Sequence, residues 1–598
     1  MSQDMNRNKR RIFFISSVLV ICWFTLIGRL LWIQAIDVHQ FSKHNVNLVA
    51  EAVSQRKQGV TLHTGRGDIQ DREGRPLTGS EISGVAVFPL ARGRLDEGKV
   101  SELAQLLHMR KDELQDLIEN VKAPAFIRDS KGKIISLSEE EEAKVGQLDL
   151  PGILALPVTE RYQPDAVATQ LIGYISQNPE LIQKEYAEEL RKGEITRKTL
   201  IGASGLERSF ERFLQGVGPT SVSYFVDGHG NPLNGLQARL IEQENHFYPL
   251  SLRTTLDRAL QEKIEAWMNE EGIERGSIVV LDADSREVLA MASRPEFRPN
   301  QIQMDSGNWV NRAIKQTFPG SVFKTVVASA VLEEELVKPD EKFVCDGHYG
   351  KYGFSCWLEG GHGEITFAEA YAQSCNIAFA QAALRLSPGD LEKYAAKLGL
   401  TEQVGWKQSP FFKMNSFRQF NGEERGQVFA ANTPKQDEGV IIQTAIGQRD
   451  VQITPLQAAN MVASILDGGK KEEVRVVKEI RYKTGSLFHS FDSHSIPGEQ
   501  IDPYTAYQLR QMMESVVNDG TGKYLQDATW KLAGKTGTAQ TSNENNNQWF
   551  IGYGPVEQPK YVVAVVAEQE PKSGRNKVMP VFKKIMNELA KDEEPGRQ

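Results

Sequence analysis

Three short stretches carry side chains whose types and spacing suit nucleophilic chemistry. In Pro319-Gly320-Ser321-Val322-Phe323-Lys324-Thr325 a Pro-Gly turn delivers a serine to the start of an apolar helical run (Phe323, Val326, Val327, Ala330, Val331). Lys324, three residues on, shares the helix face of Ser321. A serine hydroxyl becomes a useful nucleophile when a neighbour takes its proton, and a lysine of lowered pKa can do so. The helix start adds free N–H groups and partial positive charge where negative charge would develop. Ser-x-x-Lys also arises by chance, and Ser130-Lys131-Gly132-Lys133 is a second copy. Farther along, Tyr371-Ala372-Gln373-Ser374-Cys375-Asn376 separates two helical runs. Residues at i and i+2 do not share a helix face, so Ser374 and Asn376 aim at one point only from a turn. Gly534-Lys535-Thr536-Gly537-Thr538-Ala539-Gln540 reads as a strand whose central Gly537 admits the close approach of a peptide backbone. The hydroxyls of Thr536 and Thr538 and the ammonium of Lys535 are suited to a carboxylate, although strict alternation puts the threonines opposite Lys535. A phosphate loop is excluded, because Thr529 occupies the required earlier glycine position. Lys483-Thr484-Gly485-Ser486 repeats the Lys-Thr-Gly order but falls in a hairpin turn, where such residues are ordinary.

The elements that must position these groups follow from periodicity. A new unit begins near Leu252, where Thr255 or Asp257 caps a helix over Arg258–Glu270. A hairpin over 277–292 comes next, then a mostly helical stretch from the serine to about Phe417 and a small hairpin over 473–490. Strands over Trp530–Thr541, Trp549–Gly554 and Tyr561–Glu568 and a helix through Met579–Leu589 end the unit. Strands at both ends with helices between predict one antiparallel sheet closed by the two ends, its faces covered by helices. Residues 37–250 mix strand-like pieces with charged helices over Lys99–Met109, Glu139–Val145 and Pro179–Lys192, and read as a structural pedestal. The Arg66-Gly67-Asp68 tripeptide in that region reads as chance rather than adhesion.

The 598 residues suit two or three domains. A formal net charge of −8 gives no electrostatic case for nucleic-acid binding. Four cysteines make no disulfide scaffold, and with neither CxxC nor HExxH spacing no metal site is expected. At the amino terminus Arg7, Lys9, Arg10 and Arg11 precede an apolar run, Ile12–Ile36, long enough to span a bilayer with Arg29 near its outer end. Trp32, Ile33 and Gln34 before Ala35 are wrong for signal cleavage, and Ile21-Cys22 lies mid-run, so a retained anchor is expected rather than a cleaved signal or lipoprotein. The basic cluster stays in the cytoplasm by the positive-inside rule, which places the rest of the chain outside.

Ser-x-x-Lys, Ser-x-Asn and Lys-Thr-Gly in this order resemble the signature of penicillin-recognising serine enzymes. Further stretches extend the likeness: Arg66–Gly74, Gly202–Leu214, Met291–Phe297, Asn311-Arg312-Ala313, Thr454-Pro455-Leu456-Gln457, Gly520-Thr521-Gly522 and Trp549-Phe550-Ile551-Gly552. The chain is similar to the class B penicillin-binding proteins, membrane-anchored D,D-transpeptidases of bacterial peptidoglycan synthesis. The resemblance implies an α+β multidomain fold. Its parts would be a cytoplasmic tail (1–11), a transmembrane helix (12–36), a mixed α/β pedestal of dimerisation type (37–250), a β-lactamase-type transpeptidase domain (251–590) combining an antiparallel sheet with a helical part, and a tail (591–598). It implies Ser321 as nucleophile on a D-Ala-D-Ala stem peptide, Lys324 as base, Ser374 as proton relay and Asn376 as orienting group. Lys535 joins these as catalytic, Thr536, Gly537 and Thr538 bind the substrate carboxylate, and Ser321 and Thr538 supply oxyanion N–H groups. β-Lactams would acylate Ser321, a polytopic glycan polymerase would be the protein partner, and no cofactor, metal or nucleic acid is implied. Val322 and Cys375 fill variable positions of the motifs. A Cys345–Cys356 disulfide stays open, as does the balance between transpeptidase and D,D-carboxypeptidase. A β-lactamase would need a group activating a deacylating water, a bifunctional synthase a glycosyltransferase domain before residue 250, and a β-lactam sensor several spans; none is evident.

Overall fold

The computed structural model describes residues 2–36, 48–49, 57–92, 96–130, 132–225, 239–241, 245–302, 306–350, 353–542 and 544–593. The expected pedestal start at Asp37, Lys131 of the second Ser-x-x-Lys and the tail from 594 lie outside them. Helix α1 spans Ser2–Ala35, and within its 26-residue segment Arg10–Ala35 an 18-residue window reaches a mean hydropathy of 2.1. At ~1.5 Å per residue the whole segment exceeds the ~30 Å of a bilayer's hydrocarbon core. Its apolar side chains, Phe13, Trp23 and Phe24 among them, lie exposed along its length. An apolar helix on which no described residue packs suits a lipid environment rather than water.

The described chain divides into two compact units that interleave in sequence: residues 1–64, 81–159 and 218–244, and residues 65–80, 160–217 and 245–598. In the first, Lys57–His63 pairs antiparallel with Thr220–Phe225, which also pairs with Arg239–Ile241. A second sheet gathers Ala125–Phe126, Ser136–Leu137 and Ile153–Glu160 around Ser80–Val87. Helices Glu97–Leu106 and Glu139–Gln147 close this unit's core (Val85, Val87, Leu103, Val145, Ile153). Asp96 caps the first through Gly98 N and Lys99 N, and Ser138 with Glu141 forms a capping box on the second. Ser130 stands exposed in a turn here, not on a helix, so the second Ser-x-x-Lys lacks the geometry of the first.

In the second unit the elements that bear on the site are α2 (Arg258–Glu270), β1 (Gly276–Asp282), β2 (Val288–Arg294), α3 (Lys324–Glu333), α4 (Phe367–Ala372), α5 (Asn376–Ala383), α6 (Pro503–Asn518), β3 (Ala533–Gln540), β4 (Asn545–Gly554), β5 (Tyr561–Pro571) and α7 (Val578–Asp592). The sheet order is β2-β1-β5-β4-β3, antiparallel throughout, and β1 pairs with β5 from Gly276↔Ala567 to Asp282↔Tyr561. The two ends of the unit thus close one sheet, as its strand pattern predicts. Alternation sends Ile278, Val280, Val563 and Val565 toward α2 and α7, and Val279, Leu281, Val562 and Val566 toward α3, α6 and the helix Pro455–Leu466. Both faces are therefore apolar, each buried Val or Ile contributing about 1.5–3 kcal/mol.

Three expectations are corrected. The stretch from Ser321 to Phe417 is not mostly helical: it holds three two-stranded ladders, Lys342–Cys345 with Gly363–Thr366, His348–Tyr349 with Phe354–Ser355, and Lys407–Gln408 with Phe417–Arg418. Glycines at positive φ, including Gly347, Gly353 and Gly361, turn the chain there. The helix over Pro179–Lys192 breaks at Tyr186, and the run after Gly202 forms two short helices, Gly205–Ser209 and Glu211–Leu214. Residues 65–80, within the expected pedestal, group with the second unit, as do 160–217: Ile69–Gln70 pairs in parallel with Ser251–Thr254, and Cβ at Gly67 would meet Leu250 O at 1.6 Å. A buried ion network ties this segment down. Arg66 Nε lies 2.6 Å from Glu207 and its Nη2 2.7 Å from Glu211, while Arg161 Nη2 lies 2.7 Å from Glu207. Tyr162 O–H donates to Glu207 at 2.9 Å. Burial alone would raise the Glu207 carboxyl, but Arg161 and Arg66 outweigh it and hold it below its usual range. Arg66 is 4% exposed, which also disposes of the adhesion reading.

Candidate active site

Gly320–Phe323 forms one 3-10 turn that runs straight into α3, so Ser321 sits at the head of the helix and Lys324 one turn below it. Two close approaches fix the turn. Gly320 has φ +55°, and a Cβ there would meet Thr538 O at 2.2 Å. Gly537, on β3, passes so near that its Cβ would meet Pro319 O at 2.8 Å. Gly320 N–H donates to Gly447 O at 3.1 Å, and Trp549 Nε1 to Phe318 O at 2.9 Å. β3 is the sheet's edge strand, so alternate backbone donors and acceptors along it face the helix head instead of a sixth strand.

Ser374 and Asn376 meet Lys324 from a turn. α4 ends at Ala372, Ser374 takes a left-handed φ of +55°, and α5 begins at Asn376. That turn brings Asn376 Oδ1 to 2.8 Å, Ser374 O to 2.7 Å and Ser374 Oγ to 3.3 Å from Lys324 Nζ. Three acceptors thus surround the Lys324 amine, and Ser321 Oγ has no hydrogen bond among the described residues. Lys535 points away from the threonines beside it: Thr536 and Thr538 line the cleft, whereas Lys535 is buried, its Nζ 5.3 Å from the Tyr371 ring and 3.4 Å from Thr536 O. The Tyr371 hydroxyl in turn meets Thr325 Oγ1 at 2.9 Å.

Neither buried lysine has a carboxylate partner among the described residues. Burial pushes Lys324 down to about 7, two nearby thiols opposing it weakly. Burial also holds Lys535 well below the usual lysine range, and the neighbouring Lys324 charge lowers it further. An amine whose pKa is lowered to about 7, one turn below a serine at a helix start, is chemically able to accept that serine's proton. A cleft of about 770 Å³ opens above them, lined by Ser321, Ser374, Asn376, Thr536 and Thr538.

The structure adds residues that motif reading did not assign. Thr521 shares a hydrogen bond of 2.6 Å with Thr536, holding that hydroxyl at the cleft wall. Gly520 allows this, since its Cβ would meet Ala372 O at 2.2 Å. The Gly520-Thr521-Gly522 stretch was visible as a likeness, but its contact is not. Trp357 lines the cleft and donates from Nε1 to Gln373 O at 3.1 Å, and Arg449 lines it too. All four cysteines are free, so the open disulfide question finds no bond between Cys345 and Cys356. Instead Cys345, Cys356, His362 and Cys375 bring four donor atoms within 4.8 Å of one another, where motif spacing predicts no metal site.

Comparison with known proteins agrees with this architecture. The family model of the penicillin-binding protein transpeptidase domain matches residues 276–587, and that of the penicillin-binding protein dimerisation domain residues 61–246. Stage V sporulation protein D of Bacillus subtilis is 26% identical over 97% of this chain and 85% of its own length. Peptidoglycan D,D-transpeptidase MrdA of Acinetobacter baumannii is 24% identical over 95% and 86%. Among solved structures, a chain of a peptidoglycan synthase complex superposes with a TM-score of 0.65 at 24% identity, covering 98% of this chain and 99% of that one. Penicillin-binding protein PBP2 of Helicobacter pylori, solved with MreC, gives 0.59 at 23% identity over 90% and 99%. With a transpeptidase domain matched over more than half its length behind a dimerisation domain, the chain belongs to the class B penicillin-binding proteins.

Proposed function

We propose that Ser321 is the acylated nucleophile of this peptidoglycan D,D-transpeptidase and that Lys324 is its base. The observation that carries the reading is a buried lysine without a counter-ion, lowered to about 7 and hydrogen-bonded to both Ser374 and Asn376 beneath the serine. Ser321 Oγ attacks the carbonyl of the penultimate D-Ala of a stem peptide, and its proton passes to Lys324 Nζ. The backbone N–H groups of Ser321 and Thr538 receive the oxyanion, each such donor lowering the barrier by roughly 3–4 kcal/mol. Ser374 carries the proton from Lys324 to the departing D-Ala amine as the C–N bond breaks. The amine of a second stem peptide then attacks the ester and releases Ser321. Thr536 and Thr538 hold the donor's terminal carboxylate, Asn376 orients Lys324, and Lys535 adds positive charge from beneath. A β-lactam enters the same path, its amide carbonyl replacing that of D-Ala. The Arg10 and Arg11 end of α1 faces the cytoplasm and the catalytic unit the cell wall. A multispanning glycan polymerase is the partner; a similar chain solved within a peptidoglycan synthase complex supports this.

Fluorescent penicillin tests the assignment. Covalent labelling of the purified full-length protein is expected to vanish in Ser321→Ala and to persist in Ser130→Ala; labelling that survives Ser321→Ala sinks it. Mixing donor and acceptor stem peptides with the wild type and comparing cross-linked with hydrolysed product separates transpeptidase from carboxypeptidase.

A further inference from the structure

The cleft above Ser321 is polar yet almost without charge. Its described polar side chains are mainly hydroxyls and amides, Ser355, Gln443, Thr536 and Gln540 among them, and Arg449 is the one ion in the lining. The acyl-transfer steps leave Arg449 without a task. Its place is set by the nucleophile turn. Gly320 N–H donates to Gly447 O at 3.1 Å, and a Cβ at Gly447 would meet Gly320 O at 2.0 Å. The chain two residues before Arg449 is thus seated against the residue before Ser321. Gly320 packs in turn on Thr538 O, so this turn flanks the stretch of β3 where Thr538 and Gln540 line the cleft. Arg449 itself takes a left-handed φ of +63°, a backbone region that favours glycine and is held here by a long side chain. The fold does not neutralise it. Its guanidinium makes no hydrogen bond among the described residues, and the carboxylate beside it, Asp450, stands 3.7 Å from Nε. That carboxylate is already engaged, since its Oδ2 accepts from Thr433 Oγ1 and from Ala430 N–H. The Arg449 side chain is 37% exposed, partly shielded from water with its donors unused.

We infer that Arg449 is a specificity-determining residue that selects donors bearing a second carboxylate, on the acyl side of the scissile bond. The role rests on the transpeptidase reading. In that reading Thr536 and Thr538 hold the donor's terminal carboxylate, so the anion that reaches Arg449 belongs to the rest of the donor, the part that stays on Ser321 once the terminal D-Ala has left. A guanidinium takes a carboxylate through two parallel N–H donors and gains the charge as well. A carboxamide in the same place offers one acceptor and turns its own N–H groups toward the cation, so both advantages are lost. The hydroxyls and amides around Arg449 bond a neutral donor and an acidic one alike, which leaves the discrimination to the guanidinium. β-Lactams obey the same rule. The side chain of a penicillin stands where the acyl part of the donor lies, and a carboxylate on that side chain meets Arg449.

The test compares benzylpenicillin with its α-carboxy derivative, two acylating agents that differ by one side-chain carboxylate. Full-length protein in detergent is treated with each, and the second-order rate of acylation is read by mass spectrometry. The quantity of interest is the ratio of the carboxy to the benzyl rate, in which steric differences between the two compounds cancel when wild type and variant are compared. Arg449→Gln is expected to lower that ratio roughly tenfold, and Arg449→Lys to lower it less, because an ammonium keeps the charge and loses the fork. Arg449→Gly, which relieves the left-handed backbone, should fall with Arg449→Gln; a glycine variant that keeps the wild-type ratio shows that the side chain does not select. Added salt should narrow the ratio of the wild type and leave that of Arg449→Gln in place. Donor stem peptides differing only as side-chain carboxylate and carboxamide should repeat the pattern in kcat/KM. An unchanged ratio in Arg449→Gln overturns the role of Arg449. So does a change confined to the attack of the acceptor amine, which would put the anion on the acceptor. A wild type that neither penicillin acylates overturns the transpeptidase reading, and the role of Arg449 falls with it.

Discussion

Arg66, Arg161, Glu207 and Glu211 are buried, as are Lys324 and Lys535, yet the two groups meet the cost of burial differently. In the first, two cations face two anions at 2.6–2.7 Å, the Glu207 carboxyl is held below its usual range, and segments around residues 66, 161 and 207 are locked together. In the second, two amines lie without an acid and burial drives the proton off. Pairing turns buried charge into a fastener, and leaving it unpaired turns it into a base. A catalytic lysine with a carboxylate beside it would stay protonated and idle.

The sharpest way to break the comparison, and the proposed role of Lys324 as base, is to make that cation permanent. Lys324→Arg places a guanidinium that cannot deprotonate, and penicillin acylation measured by stopped labelling is expected to fall by ~10²–10⁴. Glu207→Gln attacks the fastener instead: with Arg66 and Arg161 left facing a neutral amide, unfolding of the second unit in denaturant should lose about 3–5 kcal/mol. A variant equal to wild type in that assay would mean the network is not holding the segment. The smallest effects come from pH. Acylation should rise up to tenfold per unit as pH climbs to about 7 and then level off, because only the neutral form of Lys324 accepts the serine proton. Stability separates the two groups by sign. Folded Lys324 titrates below its unfolded value, so the unfolded chain binds more protons between about 7 and the ordinary lysine range, and stability rises with pH there. Folded Glu207 titrates below its unfolded value too, but as an acid; its contribution is present at neutral pH and is lost as pH falls through the carboxylate range. Thermal midpoints of wild type, Lys324→Met and Glu207→Gln across pH 4–10 would show whether each variant flattens its own limb of the profile.

Much of the site was legible because its parts are local. The Pro319-Gly320 turn, the one-turn spacing of Ser321 and Lys324, and the alternation that sends Thr536 and Thr538 opposite Lys535 are all short-range geometry. The closure of β1 on β5 followed from apolar runs at both ends of one unit. What stayed hidden depends on contacts far apart in sequence. The break at Tyr186 and the ladders between Ser321 and Phe417 are decided by packing and glycine turns rather than by periodicity. Arg66 reads as an exposed tripeptide until Glu207, 141 positions away, is beside it. The grouping of Cys345, Cys356, His362 and Cys375 was hidden because these residues are spread from 345 to 375 and only the fold brings them together.

The sequence by itself determined the long apolar helix, the order of the three motifs and the place of Ser321 at a helix head, since each is set by hydropathy or by neighbours within a few residues. Only the tertiary structure decided the protonation of Lys324 and Lys535. A pKa is set by what surrounds a group in space, and here the surroundings are a left-handed turn at Ser374, an edge strand two hundred residues on, and no carboxylate.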